Sequence, residues 1–292
     1  MRSGFIAILG KPNVGKSTLL NALLSKKVSI VTPRAQTTRD SIMGILTEKD
    51  YQMVFVDTPG IFFGKQRLDK IMRKSAFESA RDVNLILYLI DASTHNIEDD
   101  IRIFDSIHSE SPRVFVINKI DLIRPEKAMK LKEKLRESHP DTPIIEASFI
   151  ENFGIKEIKE AALPYLEEGP FFFPEDSLTD KDKAYQAKEA IREVMLKYLR
   201  DEIPHQSAVF IESIKEKEGE ITLNATIVTE RDAHKGIVIG KGGEMIKKIR
   251  LGASKELARM WHLSVEMNLK VIVDPSWRDN PGKLSRYGYG ES

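Results

Sequence analysis

The sequence predicts an α/β protein: a first domain built on a mostly parallel central sheet, followed by a smaller α+β domain of order α-β-β-α-α-β. Three observations carry that prediction. The chain is 292 residues long, room for about two domains of ~150 residues, each able to bury its own core. Its first 165 residues alternate short apolar runs with amphipathic stretches, the βαβ pattern of a sheet covered on both faces. Beyond Asp180 the hydrophobic period changes, and Gly169-Pro170 and Pro174 mark a break before it.

The elements follow in order. Phe5–Leu9, Gln52–Val56, Leu85–Ile90, Arg113–Ile117 and Pro143–Glu146 read as buried strands, and Lys16–Leu24, Leu68–Ala80, Glu98–Ile107, Pro125–Ser138 and Ile155–Leu166 as helices between or after them. A further strand, roughly Asp40–Thr47, is placed antiparallel at a sheet edge. In the second part, Ala184, Ala187, Ile191, Val194 and Tyr198 mark one helix face, and Ile246, Ile249, Ala253, Leu257 and Met260 another. Ile221–Ile227 and Leu263–Val273 alternate as half-buried strands. The domain bounds are set at 1–168 and 181–292, with 169–180 as a linker. The three phenylalanines Phe171–Phe173 are read as packing at that seam.

Composition narrows the class. There are 45 basic and 44 acidic residues and no cysteine, which excludes a disulfide scaffold, a cysteine-ligated zinc site and thiol chemistry. The apolar run after Met1-Arg2-Ser3 is too short for a signal peptide, and no run approaches the ~20 residues of a membrane span. A cytoplasmic protein is expected. The near-neutral total hides an asymmetry: residues 1–180 carry 25 basic and 27 acidic side chains, residues 181–292 carry 20 and 17. Arg231–Arg259 alone holds 8 basic against 3 acidic, a local stripe suited to a polyanion.

Gly10-Lys11-Pro12-Asn13-Val14-Gly15-Lys16-Ser17 is a G-x-x-x-x-G-K-S loop, after a strand and opening a helix. Its backbone N–H groups, from Gly10 through Thr18, can cradle phosphate oxygens, Lys16 supplies positive charge, and Ser17 offers an oxygen ligand for Mg²⁺. Asp57-Thr58-Pro59-Gly60 follows the second of the buried strands, where Asp57 can hold the Mg²⁺ and the Gly60 N–H can meet a γ-phosphate. Asn118-Lys119-Ile120-Asp121 follows a later one, Arg113–Ile117. A carboxylate there accepts from guanine N1–H and the 2-amino group, donors that adenine lacks, so Asp121 selects GTP and GDP over ATP. The Lys119 stem can cover the base.

In this order the motifs resemble the translation-factor-like small GTPases. The resemblance implies one more base-binding loop, of pattern S-A-x, at Glu146-Ala147-Ser148-Phe149. Its register is open, and Ala147, Ser148 and Phe149 are the candidates. It also implies a switch segment at Thr32–Asp40, in which Thr38, or else Thr37, ligates Mg²⁺ in the GTP state. Ile61 stands where Ras-like enzymes carry a water-orienting glutamine. In relatives with that replacement a loop asparagine helps bind potassium, which implies such a role for Asn13 and K⁺ as a further cofactor. The candidate catalytic set is thus Asn13, Lys16, Thr38, Asp57 and Gly60.

In the second domain Gly240-Lys241-Gly242-Gly243 is a G-x-x-G turn ahead of a basic amphipathic helix, the loop with which KH domains clamp single-stranded nucleic acid. Arg231, Lys235, Lys241, Lys247, Lys248 and Arg250 gather around it as candidate RNA contacts. Trp261 is assigned to the core. The fold class is accordingly α/β, a P-loop GTPase domain followed by a KH domain. That pairing, with Gln36-Thr37-Thr38-Arg39 and Trp277-Arg278-Asp279-Asn280, resembles the Era-type ribosome-assembly GTPases over nearly the whole chain. The resemblance implies slow intrinsic GTP hydrolysis and GTP-dependent binding near the 3′ end of 16S ribosomal RNA. It also implies a role in 30S subunit assembly and weak peripheral contact with the inner membrane; a monomer is expected. The competing reading from a different class is a constitutive RNA chaperone whose nucleotide domain is structural.

Overall fold

The computed structural model describes the chain except for residues 32–40, 63–66, 95, 201 and 288–292, and for 67–69 the backbone alone. Its internal contacts divide it into two units, the main body of the first ending at Asp180 and that of the second starting at Lys181.

The first unit runs β1 (Arg2–Gly10), α1 (Lys16–Leu24), β2 (Ile42–Thr47), β3 (Tyr51–Asp57), α2 (Arg67–Glu78), β4 (Leu85–Asp91), α3 (Ile97–Asp105), β5 (Arg113–Asn118), α4 (Pro125–Ser138), β6 (Ile144–Glu146), α5 (Ile155–Ala162) and β7 (Glu167–Glu168). The sheet order is β2-β3-β1-β4-β5-β6, and β7 adds a short antiparallel pairing to Arg2 and Ser3. All pairings from β3 to β6 are parallel, and β2 lies antiparallel to β3 at the edge. Alternation sends Ile6, Ile8, Phe55, Leu87 and Val116 to one face with Leu19, Leu23 and Ile158. It sends Ala7, Leu9, Tyr88, Phe115 and Ile117 to the other with Ala76, Phe104 and Leu135. Both faces are dry, which is why these strands read as unbroken apolar runs.

Several boundaries shift from the sequence expectation, and two stretches show why. α5 stops at Ala162 because Pro164 cannot continue it, and a short 3₁₀ turn, Leu163–Tyr165, takes over. Residues 169–180 lie along the first unit. Gln52, fully buried, accepts from the N–H groups of Phe172 and Phe173 at 2.9 and 3.0 Å and donates to the Phe173 carbonyl. Phe172 packs its ring on Phe5 at 4.8 Å. Thr179 then bridges to Gly44, and the Ile45 N–H donates to the Leu178 carbonyl, which pairs part of an otherwise bare sheet edge.

The second unit runs α6 (Lys183–Tyr198), β8 (Ser207–Lys217), β9 (Glu220–Thr229), α7 (Asp232–Ile239), α8 (Glu244–Trp261), β10 (Ser264–Val273) and α9 (Pro281–Arg286). β9 is central, antiparallel to β8 and parallel to β10. One sheet face packs Leu223, Ala225, Ile227 and Met267 against Ile191, Ile249, Ala253 and Leu257 of the helices. Trp261 packs at the edge of that core and donates to Gln186. The segment after β10 is locked down. Trp277 is fully buried and donates to the Gln206 carbonyl at 3.2 Å, and Arg278 holds Glu230 through two bonds of 3.1 Å.

Candidate nucleotide site and nucleic-acid interface

The C-terminal ends of β1, β3, β5 and β6 open onto one edge of the first sheet, the edge where parallel α/β sheets bind ligands. The loop between β1 and α1 turns at Asn13, an exposed residue with φ 63°. Val14 is buried and Thr18 half-buried. Gly15 stands at the N-terminus of α1, whose first-turn N–H groups face an anion placed there.

Lys16 is 6% exposed, and its ammonium donates to the carbonyls of Lys11 at 2.8 Å and Gly10 at 3.2 Å. Burial pushes it down to about 8, against the attraction of the nearby Asp57. Asp57 is fully buried, and its Oδ2 accepts from Ser17 Oγ at 2.6 Å and Ser29 Oγ at 3.0 Å. Burial also pushes the Asp57 carboxyl above its usual range, opposed by the Ser17 bond, the Lys16 charge and the Ser29 bond. Its Oδ1 is buried with no hydrogen-bond partner among the described residues. A buried, orphaned carboxylate oxygen beside a serine hydroxyl suits a hard divalent cation, which takes oxygen ligands only. Ser17 and Asp57 thus fit Mg²⁺. Thr37 and Thr38 fall outside the described residues.

Gly60 lies close against the phosphate loop, since a Cβ there would come within 2.7 Å of the Pro12 backbone. The next N–H, of Ile61, donates to the Gly10 carbonyl at 3.0 Å. The Ile61 side chain is fully buried in the sheet core with Leu9, Ala76 and Tyr88. It offers no polar group to a water.

Asn118 is the brace of the base end. Its Nδ2 donates to the Val14 carbonyl at 2.8 Å and its Oδ1 accepts from Phe149 N at 3.2 Å, tying the β5 and β6 loops to the phosphate loop. Lys119, held at φ 64°, extends to Asp91 Oδ2 at 2.5 Å. Asp91 escaped the sequence reading. It closes the apolar run of β4, and its other oxygen is saturated by the Ser93 N–H and hydroxyl. A lone carboxylate ending a central strand was the available signal. Burial disfavours its charge, yet the Lys119 and Ser93 bonds hold its pKa below the ordinary carboxylate value. Asp121 stands exposed on the 3₁₀ turn Ile120–Leu122. In the β6 loop the N–H groups of Ala147, Ser148 and Phe149 donate to Ile117 O, Phe153 O and Asn118 Oδ1. A guanine O6 contact from any of the three therefore competes with a protein bond.

In the second unit Gly240–Gly243 joins α7 to α8. Gly242 has φ 60°, and a Cβ there would have nothing within 4 Å of it, so the turn is open to an approaching phosphate and is strained for most side chains. It sits at the N-terminus of the 18-residue α8, the positive end of the helix dipole. Lys241, Lys247 and Lys248 are exposed, while Ile249, Ala253 and Leu257 of the same region are buried. Arg250 is half-buried and lines a groove of about 410 Å³ with Asn268 and Lys270 of β10. Lys235 lies on α7 itself, and exposed Arg231 immediately precedes it.

A phosphate loop, a buried carboxylate behind its serine and an asparagine-braced base loop define the first unit as a P-loop GTPase domain. The second, with its G-x-x-G turn between paired helices, is a KH domain. Comparison agrees: residues 5–119 match the family model described as a 50S ribosome-binding GTPase, and residues 202–278 match that of the KH domain. The GTPase Era of Ruminiclostridium cellulolyticum is 40% identical over 290 residues, covering 99% of this chain and 97% of its own length. That of Fusobacterium nucleatum is 43% identical over the full length of both. Among solved structures, Era in complex with MgGDPNP and nucleotides 1506–1542 of 16S ribosomal RNA superposes with a TM-score of 0.95 at 36% identity, over all of both chains. A variant of Aquifex aeolicus Era bound to GDP and aluminium fluoride does so equally, at 35% identity. The chain belongs to the GTPase Era family.

Proposed function

We propose that this protein is a GTP-driven RNA-binding switch. Residues 1–168 read the nucleotide, and residues 181–292 hold the 3′ region of 16S ribosomal RNA during assembly of the 30S subunit. The observation that carries the reading is the coexistence in one chain of an intact Lys16–Ser17–Asp57 constellation and an open Gly240–Gly243 turn flanked by exposed lysines. The full-length similarity to an Era crystallised with both a magnesium-bound GTP analogue and 16S RNA supports it. The loop from Gly10 to Thr18 cradles the phosphates, Lys16 meets the β- and γ-phosphates, Ser17, Asp57 and Thr38 hold Mg²⁺, and Asn118, Lys119 and Asp121 read guanine. Mg²⁺, when bound, neutralises charge developing between the β- and γ-phosphates.

Localisation follows from the same reading. Among the described residues no helix is long and apolar enough to cross a membrane. The proposed working place is the cytoplasm, on the ribosomal subunit, with any contact at the inner membrane peripheral. The deciding experiment compares RNA affinity in a non-hydrolysable GTP analogue and in GDP. A switch requires different affinities, because a ligand shifts an equilibrium only through differential binding. Equal affinities return the constitutive chaperone.

Two expected outcomes follow from the site. Lys16 in the nucleotide-free protein is held down to about 8 by burial, and a polyphosphate beside it restores the charged form. A cation whose pKa is depressed destabilises the nucleotide-free state increasingly as pH falls from 10.5 and fully below about 8, and binding removes that penalty. GDP binding at pH 8.5 therefore takes up about three quarters of a proton, and affinity falls by up to about tenfold per pH unit from 8 towards 10.5. Calorimetry in buffers of different ionisation enthalpy measures the uptake, and a value near zero contradicts it.

The second concerns turnover. With Ile61 buried in the core, the charge and water positioning that a polar side chain gives elsewhere must come from another source, and a potassium ion at Asn13 is the proposed one. Hydrolysis is then faster in potassium than in sodium by about tenfold, and Asn13→Ala abolishes the difference while retaining GDP. Identical rates in the two salts reject the ion and leave the GTPase standing.

A further inference from the structure

Lys11 belongs to the phosphate loop by sequence, yet its side chain runs away from it. Nζ donates to Asp100 Oδ2 at 2.8 Å and to the Asn96 carbonyl at 3.1 Å. Asp100 lies on α3 with its side chain 2% exposed. Its other oxygen faces the hydroxyl of Tyr88 at 3.4 Å, and Tyr88 is itself fully buried, edge-on to Phe104 and Phe115. A carboxylate so placed is costly unless paired, and Lys11 pairs it.

The backbone of the same stretch carries three contacts that matter to the nucleotide. The Lys11 carbonyl accepts from Lys16 Nζ, the Gly10 carbonyl accepts from Ile61 N, and Pro12 packs directly against Gly60. The arm Gly10–Pro12 is therefore tied on one side to the third helix and fourth strand. On the other it touches Lys16, which the proposed reading sets at both end phosphates, and Gly60, which that reading sets at the γ-phosphate alone. The rest of the loop, from Asn13 to Ser17, is braced independently by Asn118 and by α1.

We infer that Lys11 and Asp100 form a positioning pair that sets the Gly10–Pro12 arm against Gly60, so that GTP affinity depends on the pair and GDP affinity does not. The inference rests on the GTPase reading above. Neither residue touches the reacting atoms. They act through Pro12, which packs on Gly60, and a rigid packed arm transmits a displacement that a flexible loop would absorb.

The test uses Lys11→Met, Asp100→Leu, the double variant, and Asp100→Asn, in the full-length protein. Affinities for GDP and for a non-hydrolysable GTP analogue are measured by displacement of a fluorescent nucleotide, alongside the thermal midpoint. Each single variant should lose about tenfold in analogue affinity and less than about twofold for GDP, and the double variant should lose no more than the worse single. Should Lys11→Met fail to fold because it strands the Asp100 charge, the double variant and the near-isosteric Asp100→Asn carry the test. Equal losses for both nucleotides, losses that add in the double variant, or no loss at all would overturn the pair. A parent protein that binds neither nucleotide would instead overturn the reading beneath it.

Discussion

Asp121→Asn turns a guanine site into a xanthine site. The Asp121 carboxylate projects into solvent from the short turn after β5, while its neighbours are committed: Asn118 to Val14 and Phe149, Lys119 to Asp91. It alone of that motif is left to accept from both N1–H and the 2-amino group. An asparagine presents a donor to one of those two donors, which loses one bond and adds a repulsion. Xanthine carries a carbonyl at position 2 and restores the match. GTP affinity should fall by ~10³–10⁴-fold, short of the ~10⁵ reached in fully enclosed sites because Asp121 is solvent-accessible. Xanthosine triphosphate should become the preferred ligand. Because Lys16, Ser17 and Asp57 sit on other elements, Mg²⁺ dependence should persist with the new nucleotide. The check is a competition assay between the two nucleotides, and an unchanged preference for GTP removes Asp121 from the base site.

The double substitution Lys241→Asp with Gly242→Asp should abolish RNA binding at physiological salt, a loss of ~100-fold or more from setting two like charges in the phosphate path. The fold should survive. Gly242 has open space around it, and aspartate is among the residues that tolerate its left-handed backbone. GTP binding belongs to the other unit and should stay at the parent value. Lys247→Ala and Lys248→Ala should act more gently, each lowering the slope of log affinity against log salt by ~0.7, the single-strand counterion value. Base preference should hardly change, since phosphate contacts position and do not specify. A filter-binding salt series reads all of this. Normal binding by the double aspartate variant would sink the clamp. Parent slopes in both alanine variants would leave the lysines as a solvated helix face.

The nucleotide site was legible because its chemistry is local. A phosphate loop needs its glycines, lysine and serine within eight consecutive residues, and strand-end motifs need only follow an apolar run. Residues 10–17, 57–60 and 118–121 therefore announced both themselves and the strand edge on which they meet. The clamp turn was legible for the same reason, with the helix after it marked by Ile249, Ala253 and Leu257 at helical spacing. What escaped was every role that depends on a partner distant in sequence. Asp91 reads as the end of a strand, and nothing nearby shows that it pins Lys119, 28 residues away. Asp100 reads as one of three acids in the first turn of a helix, and only packing reveals that it is buried and paired with Lys11.

By itself, then, the sequence determined the order of the main elements and the two chemistries, and it named candidate residues for each, because helix and strand periods and backbone-built anion sites are written in neighbouring residues. The tertiary structure alone decided which carboxylates are buried, which lysines pair with another side chain, and where residues 169–180 run. It placed Gln52 under Phe172 and Phe173 and turned Ile61 into the core. Burial and long-range pairing depend on how the sheet brings separate strands together, and the hydrophobic pattern that drives the sheet to form carries no record of which polar group meets which across it.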